Sequence, residues 1–329
     1  MRAELNKPPK VSVVMTTLHS ERFVHEAVQS IIRQSLRNFE LIIVDGGSSD
    51  TTVQKIVSFK DSRIIFLSCE GLLRSAQLNV GIKMAHGELI AIMDSDDVAL
   101  PDRLMRQVEF LDSHRAVSIV GSWAQLVSED GQPVGRLIRP VTHESIVVHL
   151  LAMNGISFPT TMFRREVFDM IGPFEESLSL SEDIEWLLRG TESCQFANIP
   201  KDLMRLRQTT HSRSRLTNIQ NPQLVRCLDN SLLHSLAFPQ TRAGKAGRER
   251  DKGLVHYYYG DTRIARKHFV SSFLFAPFEV LTLRYLIAST LIPQSLFVSL
   301  RQSPTIRKVS MLFRKVAVWK DIISRRHTA

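Results

Sequence analysis

Four short apolar runs punctuate the first hundred residues, at Val11–Thr16, Phe39–Asp45, Arg63–Ser68 and Glu88–Asp94. They are rich in Val and Ile and end on polar residues, the signature of strands. Between and after them, apolar positions recur at the spacing of helices over Glu21–Gln34, Asp50–Ser58, Ser75–Ala85 and Pro101–Ser113. The alternation predicts βαβ units on a mainly parallel sheet flanked by helices. Ligands bind such sheets beyond the carboxyl ends of the strands. Attention therefore falls on Thr16–His19, Asp45–Asp50 and Asp94–Asp97. From Val117 to about Arg207 the pattern is mixed, with a hairpin turn at Glu129-Asp130-Gly131 and a helix near Ser181–Arg189. Beyond about Pro222 it is helical. Two regions are expected, an α/β domain over residues 1–215 and a helical extension over 216–329.

Composition changes this picture in one respect. At 43% hydrophobic and 23% charged the 329-residue chain is ordinary globular material, but its net charge of +9 is unevenly spread. Residues 1–200 carry 19 Lys and Arg against 26 Asp and Glu, whereas residues 201–329 carry 23 against 7. A basic C-terminal third points to an anionic partner, either nucleic acid or an anionic membrane surface, against a merely solvated basic face. The apolar stretch Phe269–Leu300 is broken by Pro277, Glu279, Arg284 and Pro293, so it holds no clean membrane span of about 20 residues. Lys and Arg recur among apolar residues from Arg301 to Arg326, which favours helices lying on an anionic membrane surface over helices crossing it. Core helices of a small C-terminal domain are the competing reading of this region. Cys69, Cys194 and Cys227 are odd in number and far apart, which suggests neither a disulfide framework nor a cysteine zinc site and fits a reducing compartment. The N-terminus is polar and the apolar run Val11–Met15 is too short for a signal peptide's hydrophobic region, so no export is expected. The expected location is cytoplasmic, peripheral on the inner face of the cytoplasmic membrane.

The strongest chemical signal is Ile92-Met93-Asp94-Ser95-Asp96-Asp97, three carboxylates at the end of a buried strand. Without a cation they repel one another. Hard oxygen ligands suit Mg²⁺ or Mn²⁺, and such ions usually share their coordination between a few carboxylates and substrate phosphates. A helix N-cap cluster is the plainer alternative, although one Asp would suffice for it. Asp45 ends a second apolar run and precedes Gly46-Gly47-Ser48-Ser49-Asp50-Thr51, a glycine-bearing turn suited to a nucleotide's base and ribose, with Ser49 or Asp50 free to cap the next helix.

Together with VSVVMTT from Val11, the blocks FELIIVDGGSSDTT from Phe39, GELIAIMDSDD from Gly87, Pro101-Asp102-Arg103-Leu104, FPTTMFRREVFDMIGPFEE from Phe158 and SEDIEWLLRG from Ser181 resemble the family 2 glycosyltransferases. The resemblance spans roughly residues 10–215, with every block in family order. It implies a GT-A, Rossmann-like fold, a nucleotide diphosphate sugar donor, a divalent metal and inversion at the anomeric carbon. It also implies that Thr16 and Asp45 line the nucleotide pocket, that Arg74 approaches the base, and that Asp96 and Asp97 hold ribose and metal beside Asp94. Asp183 stands where the family places its catalytic base, and Glu182 is able to share or assume that role. A carboxylate there accepts the acceptor's hydroxyl proton while a metal stabilises the departing diphosphate. Two acids serving the dipole at a helix start are the structural alternative.

Several positions depart from the family pattern. Gly46 replaces a second Asp, Leu18 stands where an aromatic residue commonly stacks on the base, Leu78 has lost an Arg before Asn79, and Phe158 replaces a frequent His. His211 fits the family's Arg-x-His pattern only with a shift of two positions, so it is a candidate metal or diphosphate contact against a plain loop histidine. Trp186 is read as a core residue ahead of an acceptor platform. The leading function is sugar transfer to a glycan or lipid-linked acceptor of a cell-surface polysaccharide pathway, with no nucleic-acid partner. A metal-dependent nucleotidyltransferase and a noncatalytic nucleotide-binding protein are the alternatives. The first lacks a glycine-rich phosphate loop at Thr16-Thr17-Leu18-His19, and the acidic cluster argues against the second, since its carboxylates repel phosphate unless a metal intervenes.

Overall fold

A computed structural model describes residues 8–150, 155–209, 225, 241–259, 261–277 and 280–291. The chain divides into two compact units, Met1–Thr210 and His211–Ala329.

The first unit is built on a single sheet of nine strands: β1 (Val11–Thr17), β2 (Phe39–Asp45), β3 (Ile64–Ser68), β4 (Leu89–Asp94), β5 (Val98–Ala99), β6 (Ile119–Val127), β7 (Pro133–Leu137), β8 (Met162–Arg164) and β9 (Phe196–Arg207). Their order is β3-β2-β1-β4-β8-β6-β9-β5, with β7 paired to β6. The helices of this unit are α1 (Val24–Ile32), α2 (Thr52–Val57), α3 (Arg74–Lys83), α4 (Arg103–Ser113), α5 (His143–Leu150), α6 (Arg165–Ile171) and α7 (Glu182–Arg189).

The four strands read from the apolar runs form the parallel half, β3-β2-β1-β4. β1 and β2 are buried along their whole length, as unbroken apolar runs require when helices cover both faces. Successive side chains then serve opposite cores. Val11, Val13 and Met15 join Val24, Val28 and Ile31 of α1 and Leu104 and Leu111 of α4. Val14, Ile42, Ile90 and Ile92 join Leu78 and Ile82 of α3 and Trp186 and Leu187 of α7. Each fully buried Val, Ile or Leu contributes roughly 1.5–3 kcal/mol relative to exposure. Gly81 lets α3 lie close on the sheet, since a Cβ there would sit 2.6 Å from Val14 Cγ1.

Beyond β4 the sheet is mixed. β8 runs antiparallel to β4 and to β6, β9 is parallel to β6, and β5 is antiparallel to β9. The mainly parallel expectation thus describes the β3-β2-β1-β4 half, while the far half mixes directions. The hairpin read from Glu129-Asp130-Gly131 is the β6–β7 connection. In-register pairing sets Thr17 opposite Asp45 and Thr16 opposite Asp94, so the polar ends of β1, β2 and β4 share one edge. The long β9 brings Arg207 back to that edge through its pairing with β5.

The second unit contributes α8 (Arg242–Tyr259), α9 (Thr262–Phe275) and α10 (Val280–Leu291). Asp261 caps α9 by accepting from the Arg263 backbone N–H at 2.6 Å. Gly253 allows α8 and α9 to cross closely, because a Cβ there would meet the Phe269 ring at 2.5 Å. Among the described residues, no helix is long and apolar enough to cross a membrane. The expected surface-lying helices at Arg301–Arg326 fall outside the described residues.

Candidate functional site

The site gathers where β1, β2 and β4 end. β4 stops at Asp94, and the chain turns through Ser95 and Asp96 to Asp97 before the short β5. One carboxylate oxygen from each of Asp94, Asp96 and Asp97 lies within 4.8 Å of the others. The helix-cap explanation fails here, because α4 begins only at Arg103 and its N-cap is Asp102. The cluster is short of positive charge. Burial, aided by the Asp94 charge and opposed by Arg207 and Arg74, pushes the Asp96 carboxyl up to about 6. Burial also holds Asp97 well above the usual carboxylate range, with Asp96 and Asp94 adding to the effect. Three hard oxygen donors gathered this closely, with Asp96 and Asp97 held above the usual carboxylate range, fit a divalent cation.

Two arginines that the sequence reading assigned no role hold this loop. Arg103 is fully buried, and its Nη2 donates to the Ile92 carbonyl at 2.7 Å beneath the cluster. Burial lowers its guanidinium to about 10, against the pull of Asp97 and Asp94. Arg207 donates its backbone N–H to Asp97 Oδ1 at 2.8 Å and its Nε to the Asp96 carbonyl at 2.9 Å. Its Nη1 and Nη2 reach the Glu129 carbonyl and Glu26 Oε2, at 2.6 and 2.7 Å, which ties the hairpin tip and α1 to the acidic turn.

Asp45 is almost wholly buried, and the turn that follows wraps back onto it. Oδ2 accepts from the N–H groups of Gly47 (3.0 Å) and Ser48 (2.9 Å), and the Ser48 hydroxyl donates to Oδ1. Gly47 has φ +100°, a conformation that glycine adopts without strain. Asp50 Oδ1 accepts from the Thr52 N–H at 3.0 Å, while the N-cap of α2 is Thr51 and neither Ser49 nor Asp50. A Cβ at Gly46 would lie 2.4 Å from Gln77 Nε2, the mobile end of a side chain that donates to the Leu72 carbonyl. Thr16 is buried beside Asp94, and Leu18 is exposed at the rim.

Arg74, at the start of α3, occupies the gap between the acidic turn and α7. Its Nη2 donates to Asp94 Oδ1 at 2.7 Å and its Nη1 to Glu182 Oε1 at 2.8 Å. Opposed carboxylates raise its pKa against the burial that lowers it. Glu182 is buried and pairs with Arg74, whereas Asp183 Oδ1 accepts from the Ile184 N–H at 2.9 Å. Burial and the Glu182 charge push the Asp183 carboxyl up to about 6, with Arg74 opposing. Trp186 is a core residue: fully buried, it donates Nε1 to the Gly172 carbonyl at 2.9 Å and stacks on Phe174 with centroids 4.9 Å apart. It does not form an acceptor platform. His211 lies outside the described residues.

Residues 12–172 match the family model described as Glycosyl transferase family 2. The putative glycosyltransferase EpsE of Bacillus subtilis is 30% identical over 233 residues, covering 67% of this chain and 82% of that protein. The Escherichia coli UDP-Glc:alpha-D-GlcNAc-diphosphoundecaprenol beta-1,3-glucosyltransferase WfgD is 29% identical over 175 residues, covering 53% of this chain and 66% of that one. Among solved structures, S. aureus TarS residues 1–349 in complex with UDP-GlcNAc superposes with a TM-score of 0.62 at 18% identity, over 85% of this chain and 79% of TarS 1–349, a likeness of fold.

Proposed function

The chain belongs to the family 2 glycosyltransferases, and on that premise we propose how its residues divide the transfer of a sugar from a nucleotide diphosphate donor to an acceptor hydroxyl. One observation carries the reading. The acidic end of β4 and the Glu182-Asp183 pair lie on opposite sides of the Arg74 guanidinium, which supports assigning the first to the diphosphate and the second to the acceptor's proton.

In this reading Thr16 and Asp45 line the nucleotide, with Asp45 acting through the turn it organises. Asp94 and Asp96 face ribose and diphosphate, and Asp96 and Asp97 hold Mn²⁺ or Mg²⁺, with His211 as a further contact. An ion held there would offset the negative charge that develops on the leaving diphosphate. Asp183 takes the proton of the acceptor hydroxyl as that oxygen bonds to the anomeric carbon. The bond from that carbon to the diphosphate oxygen breaks, and its electron pair leaves with the diphosphate. Attack from the face opposite the leaving group inverts the anomeric centre. A carboxyl near 6 is ionised at neutral pH and still basic enough to accept a proton in the transition state. Glu182, already paired with Arg74, is the lesser candidate for the base.

A UDP-sugar donor and a lipid-linked glycan acceptor draw support from the E. coli relative, named for that donor class and a diphosphoundecaprenol acceptor. An anionic membrane surface is the proposed partner of the second unit, where exposed Ile264, Val270 and Leu274 share α9 with exposed Arg263 and Lys267.

Calorimetric titration with UDP, GDP and dTDP, with Mn²⁺ and with EDTA, tests the donor half. One nucleoside diphosphate is expected to bind only with the metal, at least tenfold more weakly in Asp96→Ala. Equal binding in EDTA, or no binding by any of the three, would overturn the metal–diphosphate assignment.

A further inference from the structure

Helix α3 carries an unusual amount of buried polarity, with Ser75, Gln77 and Asn79 exposed by no more than 3%. Polar side chains are buried in a helix when they have partners to satisfy. Two of these three, and Arg74 with them, reach the segment that runs into α7. Asn79 Oδ1 accepts from the Phe174 N–H at 2.8 Å, while its Nδ2 donates to the Phe174 carbonyl at 3.0 Å and to Glu176 Oε1 at 2.8 Å. The Ser75 hydroxyl donates to the Leu178 carbonyl at 3.3 Å. Arg74 closes the series at Glu182 Oε1 and is the one member that also grips the acidic turn, at Asp94 Oδ1.

The segment needs such a grip. Ser181 has φ +65°, a left-handed conformation unfavourable for a residue with a Cβ, and its side chain makes no capping bond to α7. The first residue after that turn is Glu182, so the Arg74 pair is the first side-chain tether on the helix that displays Asp183. Arg74 is itself held in place: its side chain is 14% exposed, and the guanidinium lies 5.5 Å from the centroid of the Phe158 ring. The planar fork spans two carboxylates with separate nitrogens, which an ammonium would not reproduce.

We infer that Arg74 is a positioning residue for the transfer reaction: by bridging Asp94 and Glu182 it fixes Asp183 relative to the donor-binding turn, with Asn79 and Ser75 bracing the approach. The inference rests on Asp183 being the base. It assigns Arg74 a place between donor and acceptor machinery, distinct from the base-contacting place that the family resemblance implies.

The test compares Arg74→Met, Glu182→Gln and the double variant with the wild-type full chain, through three readouts. Backbone amide exchange over residues 174–184 is expected to quicken at least tenfold in each single variant, with β4 protection unchanged, and no further in the double variant. UDP affinity in Mn²⁺ is expected to stay within about threefold. Turnover, read as UDP released from UDP-GlcNAc with water as acceptor, is expected to fall tenfold or more in kcat with little change in KM, and Arg74→Lys is expected not to restore it. In that assay water bonds to the anomeric carbon, UDP leaves with the electron pair, and the proton goes to Asp183. Unchanged exchange over 174–184, additive effects in the double variant, or a tenfold loss of UDP affinity in Arg74→Met would overturn the inference, the last by making Arg74 a nucleotide contact. Asp183→Asn separates the two levels. If it keeps wild-type turnover, the reading of the base fails; if it is inactive while Arg74→Met keeps its kcat, only the role of Arg74 fails.

Discussion

At the scale of single residues the site is a problem of charge. Asp94, Asp96 and Asp97 crowd one turn, and the arginines around them hold the backbone and single oxygens without neutralising the group. A carboxyl raised to about 6 in the fold from an ordinary value of 3.8 stays protonated in the folded chain after its unfolded counterpart has ionised. The folded state then binds more protons, so stability falls as pH rises between those two values. The metal-free protein is therefore expected to melt at a lower temperature at pH 7.5 than at pH 5. Asp96→Asn is expected to recover on the order of 1 kcal/mol at pH 7.5, a few degrees in Tm. Mn²⁺ is expected to raise the wild-type Tm at pH 7.5 more than at pH 5, and to do little for Asp96→Asn. Thermal melts at the two pH values check all three; a variant less stable than wild type at pH 7.5 would mean that the turn is not charge-strained. A second pH effect belongs to Asp183, also raised to about 6. With saturating metal and donor, kcat is expected to rise through an inflection near 6 and then level off.

At the scale of elements, the site is a consequence of register. Parallel pairing in phase sets Thr17 against Asp45 and Thr16 against Asp94, and α3 must approach closely for Arg74 to reach across. Gly81 permits that approach, and Gly81→Ala, whose Cβ would press on Val14 and Val44, is expected to cost roughly 1–3 kcal/mol as an overpacking change, read by urea unfolding. The parallel half was legible because its strands are apolar runs ending in Thr, Asp or Ser. β9 was not: Pro200-Lys201-Asp202 interrupts its pattern, and its register with β6 shifts near Trp123, so a twelve-residue strand looked like mixed chain. β5 and β8, at two and three residues, are too short to carry any periodicity. The acidic turn could be read directly, since its three carboxylates are adjacent in sequence. The bridging part of Arg74 could not, because its partners lie 20 and 108 positions away. Arg207 opens Arg207-Gln208-Thr209-Thr210-His211, which fits the family's Arg-x-His pattern only loosely, and its partners Asp97 and Glu26 are 110 and 181 positions away.

At the scale of the whole molecule, the two units carry opposite charge, acidic where a metal and a diphosphate are proposed and basic where an anionic surface is proposed. The full chain is expected to float with liposomes containing phosphatidylglycerol at low salt and to be released near 0.5 M NaCl, where screening shortens to a few ångströms. Retention with neutral phosphatidylcholine vesicles alone, or no flotation at all, would contradict the electrostatic part. The central claim is that one carboxylate on α7 takes the acceptor's proton beside a donor held at the strand ends. The most direct measurement is turnover and donor affinity of Asp183→Asn side by side with wild type, using the nucleotide sugar that binds in Mn²⁺. The account predicts affinity within about threefold of wild type and turnover reduced at least a hundredfold; unimpaired turnover in that variant would contradict it.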